Sequence, residues 1–228
     1  MTETLTTRKF DFLRSIDTPT VCNLIEMVTP HRRGFGYTVK HLFCPYPDIP
    51  PIVGFAKTVQ IKSRDAIKAG DYMAKRLDYL DYVASEPRPS ISVIEDIDGE
   101  HVGYGAFWGE VQTNVHKALG VLGVVTNGSV RDIPMVAKGF QMLAGSYGPS
   151  HAFVHIEEFG TPVTVHGMAV KSGELIHADQ HGAVVVPADK IEEMMKALED
   201  LTEREAKIIE AANSPNVTVE MIKDAMRG

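Results

Sequence analysis

Trp108-Gly109-Glu110 is followed by Arg131-Asp132, which closes the run Gly123-Val124-Val125-Thr126-Asn127-Gly128-Ser129-Val130-Arg131-Asp132. The two segments put two carboxylates and one guanidinium at the ends of a helix and a strand that are expected to be neighbours. Carboxylate oxygens suit a hard divalent cation such as Mg²⁺ or Mn²⁺. A guanidinium suits a planar carboxylate, which it can hold with two hydrogen bonds. One short stretch therefore offers a metal site beside an anion clamp.

The elements that must position these groups follow from pattern. A helix is expected over Trp108 to Leu119, stopped by Gly120. Glu110 then sits in the first turn, where the helix dipole favours its carboxylate. The N–H groups of Val111 and Gln112 have no helical partner there and can receive a ligand oxygen. A strand over Val121 to Thr126 returns the chain to the same end, and Asn127 to Val130 is expected to turn and present Arg131 and Asp132. Ligands of α/β sheets bind outside strand C-termini, which is this location.

The chemistry open to such a site is narrow. A cation chelated by a 2-oxo acid polarises its carbonyl, and breaking the C3–C4 bond leaves an enolate whose charge the metal and Arg131 share. Retro-aldol cleavage and decarboxylation of a 2-oxo diacid both pass through that enolate. Arg131 stays charged at any working pH, so it stabilises charge and does not carry the proton, a task better suited to water on the metal. The plainer reading is a surface ion pair at Arg131–Asp132 and a favourable first-turn acid at Glu110.

Elsewhere, Ser15 to Val28 reads as a helix with Asp17-Thr18-Pro19-Thr20 at its start. Residues 30–51 form a long loop rich in Pro, Gly and aromatics. Ile52 to Ile61 alternates as a strand, Asp65 to Ser85 is a helix with Ile67, Met73, Leu77, Leu80 and Val83 inward, and Ile91 to Ile97 is a strand. Ile133 to Phe140 reads as a short helix. Strands follow at about 152–156, 161–165, 175–178 and 184–186, then a helix over Ala188 to Ala212 and another over Val217 to Met226. The alternation of strand and helix argues for one α/β domain over 1–228, with a mixed sheet, helices on its faces and a helical extension from about 188.

Composition narrows the partners. The net charge of −7 leaves no general footprint for nucleic acid, with His31-Arg32-Arg33 the one short basic candidate. Cys22 and Cys44 fit no zinc or Cys-x-x-Cys spacing. Met1 to Asp11 lacks the apolar core of a signal peptide, and no apolar run is long enough to span a membrane. A cytoplasmic protein with reduced cysteines is expected.

Other constellations weigh less. His177, Asp179 and His181 share a face if extended, which is possible metal spacing, but a turn-capping role is preferred. Glu157 and Glu158 point to opposite faces of a strand. His151 and His155 share parity with nothing further to support a metal. Trp108 is read as core more than as pocket wall. Phe35, Tyr37, Tyr46 and Tyr147 suit either a lid or a subunit contact.

Five segments together resemble the RraA-like family, which includes a regulator of ribonuclease activity and class II 4-hydroxy-4-methyl-2-oxoglutarate aldolases. They are Asp17-Thr18-Pro19-Thr20-Val21, Val53-Gly54-Phe55-Ala56-Lys57-Thr58-Val59, Trp108-Gly109-Glu110, the Gly123–Asp132 run, and Ala178-Asp179-Gln180-His181-Gly182-Ala183-Val184-Val185-Val186-Pro187. The resemblance implies a swivelling β/β/α fold, assembly as a homotrimer or homohexamer, and a small 2-oxo acid substrate. It assigns substrate to Arg131 and metal to Asp132, with Glu110 reaching the metal through water. Val111 and Gln112, next to Gly109, would hold the pyruvoyl group through backbone amides. A glutamate from a neighbouring subunit's C-terminal helix, Glu205 by position, would also reach the metal through water. The alternative within the family is a non-enzymatic regulator, which lacks the metal aspartate that this chain keeps. A methyltransferase name is sometimes attached to such sequences, but no Gly-rich nucleotide loop with an acidic ribose ligand is present. The chain departs from the family at Cys22-Asn23-Leu24, at Ser172-Gly173-Glu174 and in the longer, more aromatic segment 31–50, which bears on the substrate more than on the metal.

Overall fold

A computed structural model describes residues 5–67 and 72–227. Residues 68–71 of the helix expected over 65–85 lie outside the described residues, as do 1–4 and 228. In chain order the elements are α1 (Thr7–Arg14), α2 (Thr18–Val28), β1 (Ile52–Lys62), α3 (Tyr72–Ala84), β2 (Ser90–Asp96), β3 (Ala106–Trp108), α4 (Glu110–Ala118), β4 (Val121–Val130) and β5 (Gln141–Tyr147). They continue with β6 (His155–Phe159), β7 (Val163–Val165), β8 (Met168–Val170), β9 (Leu175–Asp179), β10 (Gly182–Val186), α5 (Ile191–Ala212) and α6 (Val219–Arg227).

Eight of the strands form one sheet in the order β10-β9-β1-β2-β4-β3, with β5 also on β4 and β6 also on β1. The β1–β2, β2–β4, β3–β4 and β4–β5 pairs are parallel, and β1–β6, β1–β9 and β9–β10 are antiparallel. The sheet is mixed and flanked by helices, as the alternation of elements predicts. β1 is buried at nearly every position and not at alternate ones, because both faces are covered. One core lies under α1, α2 and α5, a second under α3 and α4, and a third under the β7–β8 hairpin.

Local chemistry sets the helix starts. Asp17 Oδ1 accepts from the Thr20 N–H at 2.9 Å, capping α2, and Pro19 sits in its first turn. Asp179 Oδ2 accepts from the Thr18 N–H at 2.8 Å, and Asp179 Oδ1 from the His181 N–H at 2.8 Å. His177 is fully buried, with Nε2 on the Leu13 and Ile16 carbonyls and Nδ1 on the Thr18 hydroxyl. His177, Asp179 and His181 thus tie α2 to the β9–β10 turn, which is the preferred turn-capping role. The 30–51 loop is pinned by isolated bridges of Tyr37 to Val184 and of Phe43 to Ala144.

Several expectations change. Trp108 ends a short strand and does not begin the helix, which starts after Gly109. Asn127 to Val130 continues β4 across an irregularity in register and does not turn. Ile133–Met135 is a single 3₁₀ turn, followed by the unexpected strand β5. α1 and β8 add a helix and a strand to those the pattern predicts. α3 shows a different face: Met73 and Leu77 are exposed, whereas Tyr79 and Val83 are buried. The inward stripe is Tyr72-Arg76-Tyr79-Val83, whose aromatic and guanidinium members give no aliphatic periodicity.

α4 packs through Thr113 and the fully buried His116. His116 Nδ1 donates to the Gln112 carbonyl at 2.7 Å, and Nε2 accepts from the Tyr79 hydroxyl at 2.8 Å. A neutral imidazole satisfies both partners. Burial, helped by the nearby Arg76 charge, pushes its pKa down to about 4 from 6.5. Below pH 6.5 the unfolded chain takes up a proton that folded His116 refuses until about pH 4. This contribution is therefore full above pH 6.5 and is lost as pH falls through that window, by about 3 kcal/mol at most. Urea denaturation at pH 7 and pH 4.5 should show the loss, and His116→Gln should flatten that part of the profile. An unchanged slope in the variant would assign the acid sensitivity to other groups.

Candidate functional site

β3 lies parallel to β4 with Ala106 opposite Ser129 and Trp108 opposite Val130. The Arg131 N–H donates to the Trp108 carbonyl at 3.0 Å, extending the register past the strand end. Gly109 and Arg131-Asp132 therefore leave adjacent C-terminal strand ends side by side. Asp132 Oδ2 accepts from the Glu110 N–H at 3.1 Å, so the aspartate caps α4 from another segment. Its Oδ1 accepts from Arg131 Nη1 at 3.2 Å. A Cβ at position 109 would stand 2.3 Å from Asp132 Oδ2, so the approach requires glycine there.

A cavity of about 460 Å³ opens at this junction, lined in part by Gly109, Val111, Gln112 and Arg131. The Val111 and Gln112 amides have no hydrogen-bond partner among the described residues, the first intrahelical donor being the Thr113 N–H, to Gly109 O at 3.0 Å. Arg131 Nε is buried and unpartnered. A guanidinium and two amides thus face one space with donors to spare.

Asp132 lies behind Gly109, with its side chain 22% exposed. Two hydrogen bonds use two of the roughly four lone-pair sites of a carboxylate. The other two have no partner to saturate them among the described residues, and Asp132 does not itself line the described part of the cavity. Among the described residues no three His, Cys, Asp or Glu side chains converge as a metal cage. That donor set fits Mg²⁺, which keeps several waters and takes one or two carboxylates plus substrate oxygens. The Glu110 side chain is exposed and is not among the described residues lining the cavity. Glu205 is exposed on α5, which packs on α1, α2 and α6.

The motifs did not reveal every wall. Arg76 from α3 and His151 and His155 from before and within β6 also line the cavity. His155 is held by Glu157 Oε1 at 2.9 Å and by the Phe153 carbonyl at 2.8 Å. His151 Nδ1 is 2.7 Å from the Ala152 carbonyl, which leaves Nε2 without a partner among the described residues. The available signal was the shared parity of the two histidines and a charge inside the true α3 stripe. Trp108 is core, stacked near His116 and Phe140, whereas Phe107 reaches the cavity. Phe35 and Tyr37 line a separate pocket of about 170 Å³, and Tyr46 donates to the Ile133 carbonyl. In the basic run, Arg32 donates to the Val185 carbonyl at 3.0 Å and Arg33 pairs with Glu26 at 3.0 Å.

The sequence model of the RraA-like family (Aldolase/RraA) matches residues 18–185, which contain both strand ends and the α4 N-terminus. The chain belongs to the RraA-like family. Among curated relatives, protein DlpA of Legionella pneumophila is 28% identical over 155 residues, 63% of this RraA-like chain and 23% of DlpA. The chain thus spans less than a quarter of that relative's length. A putative 4-hydroxy-4-methyl-2-oxoglutarate aldolase of Halalkalibacterium halodurans is 26% identical over 221 residues, 92% of this chain and 91% of the aldolase. Among solved structures, Streptomyces coelicolor RraAS2, described as an unusual member of the RNase ES inhibitor RraA protein family, shares the fold. Its TM-score is 0.69 at 21% identity, covering 90% of this chain and 96% of that one. No helix among the described residues is long and apolar enough to cross a membrane. Glu205 falls outside the matched span.

Gly109→Ala should destabilise the fold by about 1–3 kcal/mol, since the new methyl group must displace Asp132 or its strand. Chemical denaturation checks this, and a loss under 0.5 kcal/mol, about the scatter of surface substitutions, would show that the junction yields easily.

Proposed function

We propose that this RraA-like protein is a divalent-metal-dependent carbon–carbon lyase acting on a small 2-oxo acid. The reaction is retro-aldol cleavage of a 4-hydroxy-4-methyl-2-oxoglutarate-like substrate, or decarboxylation of oxaloacetate, through a pyruvate enolate. The observation that carries the reading is the convergence of the unpartnered Arg131 Nε and the free Val111 and Gln112 amides on one cavity beside Asp132. Similarity to the putative aldolase over nine-tenths of both chains supports the same reading.

In this scheme the Arg131 fork takes the substrate carboxylate. The Val111 and Gln112 amides receive the 2-oxo oxygen and stabilise the negative charge that grows on it as the C3–C4 bond breaks. Asp132, with Glu110 through water, would hold Mg²⁺ or Mn²⁺, and Glu205 from a neighbouring subunit of a trimer or hexamer would complete the shell. The ion would supply Lewis-acid polarisation of the 2-oxo group. Retro-aldol cleavage must also remove the 4-hydroxyl proton. Here His151 Nε2, the imidazole nitrogen of the described cavity lining that has no partner, replaces the water expected from the sequence as its acceptor.

A pyruvate-release assay over a panel of 2-oxo diacids, with and without Mg²⁺, tests the proposal. Cleavage should vanish on chelation and return with metal. Arg131→Lys should lower kcat/KM about a hundredfold, because a point charge cannot replace the fork. Asp132→Asn should abolish metal-dependent turnover while keeping an acceptor for the Glu110 amide, so stability should change little. Turnover by Asp132→Asn near the wild-type rate would remove the aspartate from the mechanism. No pyruvate from any diacid, together with binding to a ribonuclease, would favour the regulator reading.

A further inference from the structure

The α3 stripe that faces inward carries a charge where an amphipathic helix ordinarily carries none. Arg76 lies between Tyr72 and Tyr79 on that face, is half-buried and lines the same cavity as Arg131. Among the described residues it makes no ion pair and no hydrogen bond. A partly desolvated, unpaired guanidinium is unfavourable unless something neutralises it. No carboxylate among the described residues lines the cavity, although the protein as a whole carries a net charge of −7. The rest of the described lining is largely apolar, with Phe107, Phe153 and Val154 among it. At about 460 Å³ the space is within the range of small-ligand pockets.

Two cations carried by different elements into one largely apolar cavity match a ligand bearing two anionic groups. We infer that Arg76 is a specificity-determining residue that receives the second carboxylate of a dianionic 2-oxo acid while Arg131 holds the first. The assignment rests on the proposal that Arg131 binds the substrate's 2-oxo carboxylate. It deepens that proposal by saying which residue makes the site prefer a diacid to a monoacid of equal carbon number. A dianion offers a counter-charge to each guanidinium of the cavity, whereas a monoanion held at Arg131 leaves Arg76 half-buried and unpaired.

The test is binding, which needs no turnover. Calorimetric titration of the full chain in Mg²⁺ buffer compares 2-oxoglutarate with 2-oxopentanoate, which has the same carbon count and lacks the second carboxylate. The wild type should prefer 2-oxoglutarate. Arg76→Gln should weaken 2-oxoglutarate by about tenfold to a hundredfold, the range for losing a charged hydrogen-bond partner, and 2-oxopentanoate by less than about threefold. Arg76→Lys, which keeps the charge, should retain part of the preference and serves if the Gln variant melts early. Arg131→Gln should weaken both ligands together. Equal wild-type affinities, or an Arg76→Gln loss of the same size for both acids, would overturn the assignment. The two proposals fail separately. A preference for the diacid that depends on Arg76, without pyruvate release, ends the lyase reading alone, and pyruvate release without that preference ends the Arg76 assignment alone.

Discussion

Asp132 Oδ2 rests 3.1 Å from the Glu110 amide, a separation that exists because Gly109 has no side chain to fill it. This contact joins the end of one strand to the start of a helix that follows a different strand. It fixes where the Asp132 carboxylate stands, draws Arg131 alongside through a second hydrogen bond, and leaves the next two amides of α4 pointing into open space. Parallel pairing of β3 on β4 supplies the alignment, and burial of Trp108 and His116 beneath it supplies the rigidity. The aspartate is thus both the cap of α4 and the partner of the Arg131 guanidinium. These roles do not compete, since each carboxylate oxygen can accept more than one partner.

The cavity has an electrostatic character unlike that of the whole protein. An acidic chain keeps its described carboxylates off one concave surface and places there two guanidiniums and a helix N-terminus, with two imidazoles beside them. The arrangement has a folding cost, because like charges are gathered in a partly desolvated space. The proposed anionic substrate would offset that cost by the same physics that draws phosphates and carboxylates to helix starts. The protein's acidity and the site's basicity therefore describe different parts of one molecule, and net charge alone indicates only the first.

Much of the site was legible in the chain because its residues signal their own geometry. A glycine before a first-turn glutamate marks a strand-to-helix junction, and an Arg-Asp pair after a Val-rich strand marks a strand end. What the chain did not disclose depends on long-range pairing. β5 contains no β-branched residue (Gln141 to Tyr147) and is a strand because β4 offers it an edge. Trp108 read as helical because a strand of three residues leaves no periodicity to detect. Arg76 and His155 lie far in sequence from the motif and from each other, so only the folded sheet brings them to Arg131. Hydropathy points Met73 and Leu77 of α3 inward, yet both are exposed and Tyr79 fills the buried side.

β1 bears on how the fold tolerates change. One end of this strand is zipped to β9 through Ile52–Phe55 and the other to β6 through Val59–Lys62, while β2 runs alongside the span from Phe55 to Ile61. The β7–β8 hairpin leaves the chain between those two clamps. Its valines and Met168 are buried against the sheet, and the Val39 N–H donates to the His166 carbonyl at its tip at 2.8 Å, so residues inserted there would first push on the 30–51 loop while both clamps kept their register.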